Sequence, residues 1–189
     1  MLLRAYLLAG LAAHKVVWEY LKHTQSVAAP NRGPMLVRIV KMFVLGGLLA
    51  QTVLPEIFPI TPHPRPLQIA GLTLFTAGLA LAIAARVTLG SNWTDIEQGA
   101  VGQRHEVVAR GVYRYIRHPI YTGDVLLVAG FQLALNSWLV LGVLPLAAYV
   151  HIKAVQEEAK LAAALPGYAA YCLATGRFLP RLAAPPAHP

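Results

Sequence analysis

The stretch VLLVAGFQLALNSWLVLGVLPLAAYV, Val125–Val150, decides the fold of this chain. It carries no charge, yet a membrane-spanning helix needs only about 20 residues. A single helix of that length overruns a bilayer. The polar pair Asn136-Ser137 near its middle is the natural break, so two helices meet there. The first begins near Tyr121, and the second runs to Lys153 and beyond.

Three further apolar blocks lie upstream. Met1 to Tyr20 is interrupted by Arg4, His14 and Lys15, and its core Leu7 to Ala13 also fits a cleaved signal peptide. Ile39 to Ile57 has Lys41 near its start and Pro55-Glu56 near its end. Leu67 to Ala85 has only Gln68, Thr73 and Thr76 as polar members. With 57% hydrophobic and 13% charged residues and a mean hydropathy of +0.54, the chain is an integral membrane protein of about five transmembrane helices. The fold class is an all-α, polytopic membrane helical bundle.

Charge gives a separate test of that count. Lys22 to Lys41, Arg86 to Arg117 and Lys153 to Arg181 hold thirteen of the sixteen Lys and Arg residues. Five spans put all three segments on one side. The positive-inside rule then makes that side cytoplasmic, with the N-terminus outside and, in a bacterium, the inner membrane as host. The net charge of +8 is spread between apolar blocks, which argues against nucleic acid. One cysteine, Cys172, excludes an intramolecular disulfide, and the scattered histidines give no metal site.

The organisation follows. Residues 1–85 form helices one to three, with the proline-rich outer turn Thr61 to Pro66 before the third. Residues 86–182 hold a long cytoplasmic insert, a helical hairpin and a C-terminal segment. Residues 183–189 are a disordered tail.

Most polar chemistry falls on the cytoplasmic face. Pro119 suits the first turn of a helix, whose free N–H groups would then attract an anion beside Arg117 and His118. Tyr113, Tyr115 and Tyr121 crowd the same threshold, and an interfacial aromatic belt accounts for them equally well. Lys153 and Glu157 share a helix face at i, i+4, with Glu158 adjacent. They are either a solvated pair or a carboxylate and cation facing ligands. Tyr168, Tyr171 and Arg177 follow in an amphipathic segment ending at Pro180.

Order and spacing resemble the isoprenylcysteine carboxyl methyltransferase family of membrane enzymes, including its small prokaryotic members. The matching residues are Leu89 to Thr94, His105-Glu106-Val107-Val108, Gly111-Val112-Tyr113 and Arg117 to Gly123. Glu157-Glu158 with Leu161, Tyr168 with Tyr171, and Thr175 to Pro180 continue the match. The resemblance covers about Leu89 to Leu182, and the first half matches only as apolar helices.

The resemblance implies an S-adenosylmethionine pocket on the cytoplasmic side. Gln98, His105, Glu106, Val107, Val108, Tyr113, His118, Pro119, Ile120, Tyr121 and Glu157 would contact the cofactor. Arg177, Arg117 and Glu158 would be the catalytic groups. Lys153 and Arg177 would face the substrate, Lys153 standing where the family has arginine. Lysine keeps the charge but loses the bidentate fork. Leu165-Pro166-Gly167 replaces the family's Phe-Gly. The implied reaction is methyl transfer to a lipophilic acceptor entering from the bilayer, a prenylcysteine-like carboxylate first. An ionised carboxylate needs only a cation, whereas an amine or phenol needs a base, with His118 or Glu158 available.

Three rivals stand beside this. A phospholipid N-methyltransferase differs only in acceptor. A sterol-reductase-like NADPH enzyme shares an Arg-His…Tyr-x-Gly-Asp segment ending at Gly123-Asp124, but Pro119-Ile120 departs from its pattern. A non-catalytic scaffold or small transporter subunit leaves His118, Glu157 and Arg177 unexplained.

Overall fold

Apolar runs of this length can satisfy their backbone groups internally only as helices. The computed structural model describes residues 1–25, 35–54, 57–92 and 106–181. It contains α1 (Leu2–Gln25), α2 (Met35–Val53), α3 (Arg65–Leu89), α4 (Pro119–Ala134), α5 (Val143–Ala164) and the short α6 (Tyr168–Ala174). Among the described residues there is no strand, only isolated bridges of Pro59 with Ser137 and Ile116 with Gly176. Arg65–Leu89 and Trp138–Ala164 are long and apolar enough to cross a membrane, and α4 is a shorter apolar helix. The two long helices are largely uncovered by the rest of the chain, whereas half of α4 is buried. Phe43, Leu144 and Ile152 are among the large apolar side chains left exposed.

Several boundaries differ from the sequence reading. α1 runs through its charged positions to Gln25, and Lys15 pairs with Glu19 one turn on (2.6 Å). α2 starts at Met35 and stops at Val53, two residues before Pro55, which disfavours helix in the residue preceding it. α3 claims Arg65 and Pro66 from the proline-rich turn, because proline is tolerated in a helix's first turn. It also runs through positions 85 and 86 to Leu89, where the insert was expected to begin.

The break at Asn136-Ser137 is a docking point. Asn136 is fully buried and takes a left-handed conformation (φ +54°), which asparagine tolerates better than most residues. Its side-chain amide donates to the Thr61 carbonyl (2.8 Å) and accepts from the Thr61 N–H (3.1 Å). Ser137 Oγ donates to the Ile57 carbonyl (2.8 Å), and the Trp138 N–H donates to that of Phe58 (2.9 Å). The polar pair thus turns the chain and anchors the loop before α3.

The tightest contact in the structure joins α3 to α4. The two run antiparallel, with Gly71, Phe75, Gly78 and Ala82 facing Ala134, Gly130, Leu127 and Gly123. A Cβ added at Gly71, Gly78, Gly123 or Gly130 would come within 3.0 Å of backbone atoms on the other helix. Small residues at such spacing let helices associate where lipid provides no hydrophobic drive. Leu7, Leu48, Phe75, Leu127, Phe131, Ala134 and Leu135 pack the surrounding core.

Gly130→Leu is expected to destabilise the protein by about 1–3 kcal/mol or to prevent folding, as overpacking does. Gly142→Ala, at a site with open space around it, should be neutral. Thermal unfolding in detergent checks both.

Candidate functional site

Two chain segments far apart in sequence build the site's frame. Pro119 opens α4 with a preset φ and keeps His118 before it out of the helical region (φ −120°, ψ 55°), so the chain leaves the helix line there. The residues before Pro119 pair with the segment after α6. The Gly176 N–H donates to the Tyr115 carbonyl (3.0 Å), the Arg117 N–H to that of Gly176 (2.8 Å) and the His118 N–H to that of Arg177 (3.1 Å). Thr122 Oγ1 donates to the Phe178 carbonyl (3.1 Å), extending the join by one turn.

Into this frame α5 inserts Glu158. Its carboxylate accepts from Arg117 Nε (2.9 Å) and from Arg177 Nε (3.0 Å) and Nη2 (2.7 Å), the last two as a bidentate fork. His118 Nε2 lies 3.2 Å away. An ionised carboxylate only accepts, so Nε2 carries the proton there. Arg117 Nη1 also donates to the carbonyls of Cys172 (2.8 Å) and Thr175. The Glu158 and Arg117 side chains are only 12% and 10% exposed, so this is a buried ion set rather than a screened surface pair. Glu158 also holds the Arg177 guanidinium's pKa above its ordinary high value.

Successive helix residues point about 100° apart. Glu157 therefore faces elsewhere, with its side chain 40% exposed. It accepts from the Tyr121 hydroxyl (2.7 Å) and lies 3.9 Å from His118 Nδ1. The His118 and Tyr121 rings stack, with centroids 5.2 Å apart and planes 6° from parallel. His118 thus touches both glutamates, one on each ring nitrogen.

The remaining expected residues fall in three groups. Val108, Tyr113 and Ile120 are buried with Ala85, and Trp18, Leu89, Val112 and Tyr121 pack against them. Pro119 is buried, Val107 half-buried and Glu106 exposed, its N–H donating to Asn92 Oδ1 (2.9 Å). The Lys153 ammonium sits 5.8 Å from the centre of the Tyr149 ring. Gln98 and His105 lie outside the described residues. Of the tyrosines that a belt would expose, Tyr113 is buried and only Tyr115 is half exposed.

Tyr168 and Tyr171 close the far side. Pro166 follows the end of α5, and Gly167, at φ +81°, turns the chain into α6 as glycine readily does. The Tyr171 hydroxyl donates to the Tyr113 carbonyl (2.7 Å). Burial pushes the phenols of Tyr113, Tyr168 and Tyr171 upward, so all three remain neutral donors.

Sequence reading missed Thr175, Thr122, Phe178 and His151 as neighbours of the site. The Phe178 ring lies 6.0 Å from His118 and 5.9 Å from His151. The Thr175-Gly176-Arg177-Phe178 motif contained part of this, but spacing alone does not show that it pairs with Tyr115–His118. Among the described residues, no group of three His, Cys, Asp or Glu side chains could hold a metal ion.

An Arg–Glu–Arg–His set, buried but for Arg177, beside an open carboxylate is a feature of α4, α5 and the segments flanking them. The phospholipid methyltransferase family model matches residues 67–165, which take in α4, α5 and α3 from its third residue on. The chain belongs to that family. Protein-S-isoprenylcysteine O-methyltransferase of Homo sapiens is 36% identical over 83 residues, covering 38% of this chain and 29% of that protein. Protein-S-isoprenylcysteine O-methyltransferase B of Arabidopsis thaliana is 34% identical over 65 residues, 34% of this chain and 33% of the relative. The cobalt-zinc-cadmium resistance protein CzcN of Cupriavidus metallidurans is 31% identical over 150 residues, 77% of this chain and 62% of its own length. The chain spans a third or less of the length of these two methyltransferases.

Glu158→Ala leaves the buried Arg117 without its carboxylate, with Arg177 beside it, and is expected to cost about 3–5 kcal/mol. Glu157→Gln keeps the Tyr121 contact and should leave the unfolding midpoint unchanged. Unfolding curves of the two variants, side by side, separate these roles.

Proposed function

We propose that this chain is an integral membrane methyltransferase that uses S-adenosylmethionine and a lipophilic acceptor. The carrying observation is the polar set Arg117, His118, Glu157, Glu158 and Arg177, assembled where α4 begins and α5 nears its end. Charged groups there are expensive unless they bind or react. In this reading α1 to α5 cross the membrane, the N-terminus is outside, and the site faces the cytoplasm with thirteen of sixteen Lys and Arg residues. Residues 1–85 serve mainly as the helical support, and 86–182 build the site.

The donor set fits the cofactor's chemistry. Glu157 offers a carboxylate that is 40% exposed, suited to a cationic or hydroxyl group, and the stacked His118–Tyr121 pair gives a flat wall beside it. Gln98 and His105 are assigned cofactor contacts on the resemblance alone. When bound, S-adenosylmethionine supplies a methyl group on a sulfonium. The protein's task is then alignment and water exclusion. Glu158 acts as a positioning residue in this scheme, fixing Arg117, His118 and Arg177 relative to one another.

The acceptor is a prenylcysteine-like carboxylate or the amine of a phospholipid. For a carboxylate, the cations are Lys153 and the part of Arg177 not engaged by Glu158. A specific observation favours keeping the amine: Arg117 and Arg177 both already face Glu158.

Calorimetry with S-adenosylhomocysteine tests the cofactor. Wild type should bind saturably, whereas His118→Ala and Glu157→Ala should weaken binding tenfold or more, about 1.4 kcal/mol. Arg177→Ala should retain binding and lose methyl transfer, because Arg117 and His118 still hold Glu158. Absent binding by folded wild type, or normal turnover in the Arg177 variant, would overturn the respective assignment.

A further inference from the structure

A second polar pair lies one turn further along α4. His14 Nε2 of α1 is 3.1 Å from Asp124 Oδ1 of α4, and the His14 ring stacks on Trp18 with centroids 4.0 Å apart. The Asp124 and His14 side chains are 41% and 24% exposed, so both remain reachable. Asp124 stands three residues beyond Tyr121, hence beside it on the helix surface. Trp18 and Tyr121 pack against the same cluster of Ala85, Val108, Tyr113 and Ile120. Thus α4 sends Tyr121 to Glu157 and, one turn further on, Asp124 to His14.

Nothing in the packing requires this pair. α1 already rests on α3 through Gly10 against Phe75 and through the Tyr6–Thr76 hydroxyl contact (2.7 Å). An ionisable pair within apolar helices signals a function by default. An ionised Asp124 accepts only, so His14 Nε2 carries the proton and Nδ1 holds a lone pair. No partner for Nδ1 is found among the described residues. A histidine oriented in this way by a carboxylate has the arrangement a general base needs.

Building on the methyltransferase reading above, we propose that His14, held by Asp124, accepts the proton of an acceptor bearing an amine or hydroxyl on an apolar body. The acceptor would lie between α1 and α4. Its nitrogen or oxygen passes one proton to His14 Nδ1 and bonds to the methyl carbon. The methyl–sulfur bond breaks with its electron pair left on sulfur as a neutral thioether. Asp124 balances the imidazolium until the proton returns to solvent. A carboxylate acceptor makes no use of this pair.

The test follows labelled methyl transfer to phosphatidylethanolamine and to an S-farnesylcysteine peptide, with S-adenosylhomocysteine calorimetry and unfolding midpoints on the same samples. His14→Ala should lower transfer to the amine about 100-fold or more, keep S-adenosylhomocysteine binding, and recover activity with added imidazole. Asp124→Asn should show a smaller loss with binding intact. Full amine turnover in His14→Ala overturns the proposal. So does a loss that imidazole does not restore and that comes with a lowered midpoint, which marks a structural strut. Wild-type transfer to the farnesylcysteine peptide alone also overturns it while sparing the methyltransferase reading. No S-adenosylhomocysteine binding by wild type removes both readings together.

Discussion

The contact between α3 and α4 governs everything else in this molecule. Backbone touches backbone along Gly71, Gly78, Gly123 and Gly130, so the register of the two helices is fixed within a fraction of a turn. In lipid, close packing of this kind replaces the hydrophobic drive that water would supply. Because α4 begins with Pro119, fixing its register also fixes where Arg117, His118 and Tyr121 lie. Helix packing of no apparent chemistry therefore sets the coordinates of the polar site.

A division of labour between adjacent glutamates follows from helix geometry. Glu158 is enclosed by two guanidiniums and an imidazole, and Glu157 faces outward with a tyrosine hydroxyl on it. One carboxylate organises its neighbours, and the other is left to meet something from outside. His118 stands between them, with Nε2 3.2 Å from Glu158 and Nδ1 3.9 Å from Glu157.

Much of the helical plan could be read from sequence because hydropathy and breakers act locally. The Asn136-Ser137 break, the start of a helix at Pro119 and the clean third block all depend on neighbouring residues. The ends of α2 and α3 were less legible, since Pro55, Arg65 and Pro66 shift boundaries by a few residues. The candidate site was legible as a list of residue types but not as a set of partners. Spacing showed that Glu157 and Lys153 share a face. It did not show that Tyr121 meets Glu157, that Glu158 gathers both arginines, or that Tyr115–His118 pairs with Gly176–Arg177. Those contacts join residues tens of positions apart, and only the packed helices bring them together. The glycine register of α3 and α4 was written in the sequence as a spacing, yet single glycines in apolar helices carry no label of their partner.

The bridge between Ile116 and Gly176 ties together segments far apart in the chain. α3, α4 and α5 are each built from local hydrogen bonds, whereas Arg117 and Glu158 meet their full set of partners only when Cys172, Thr175 and Arg177 dock against the start of α4. Contacts of such long sequence separation carry a loop-closure cost that helix formation does not. Formation of the helices and completion of the site are therefore separable steps in folding, and the segment after α6 is the clasp that makes the site whole.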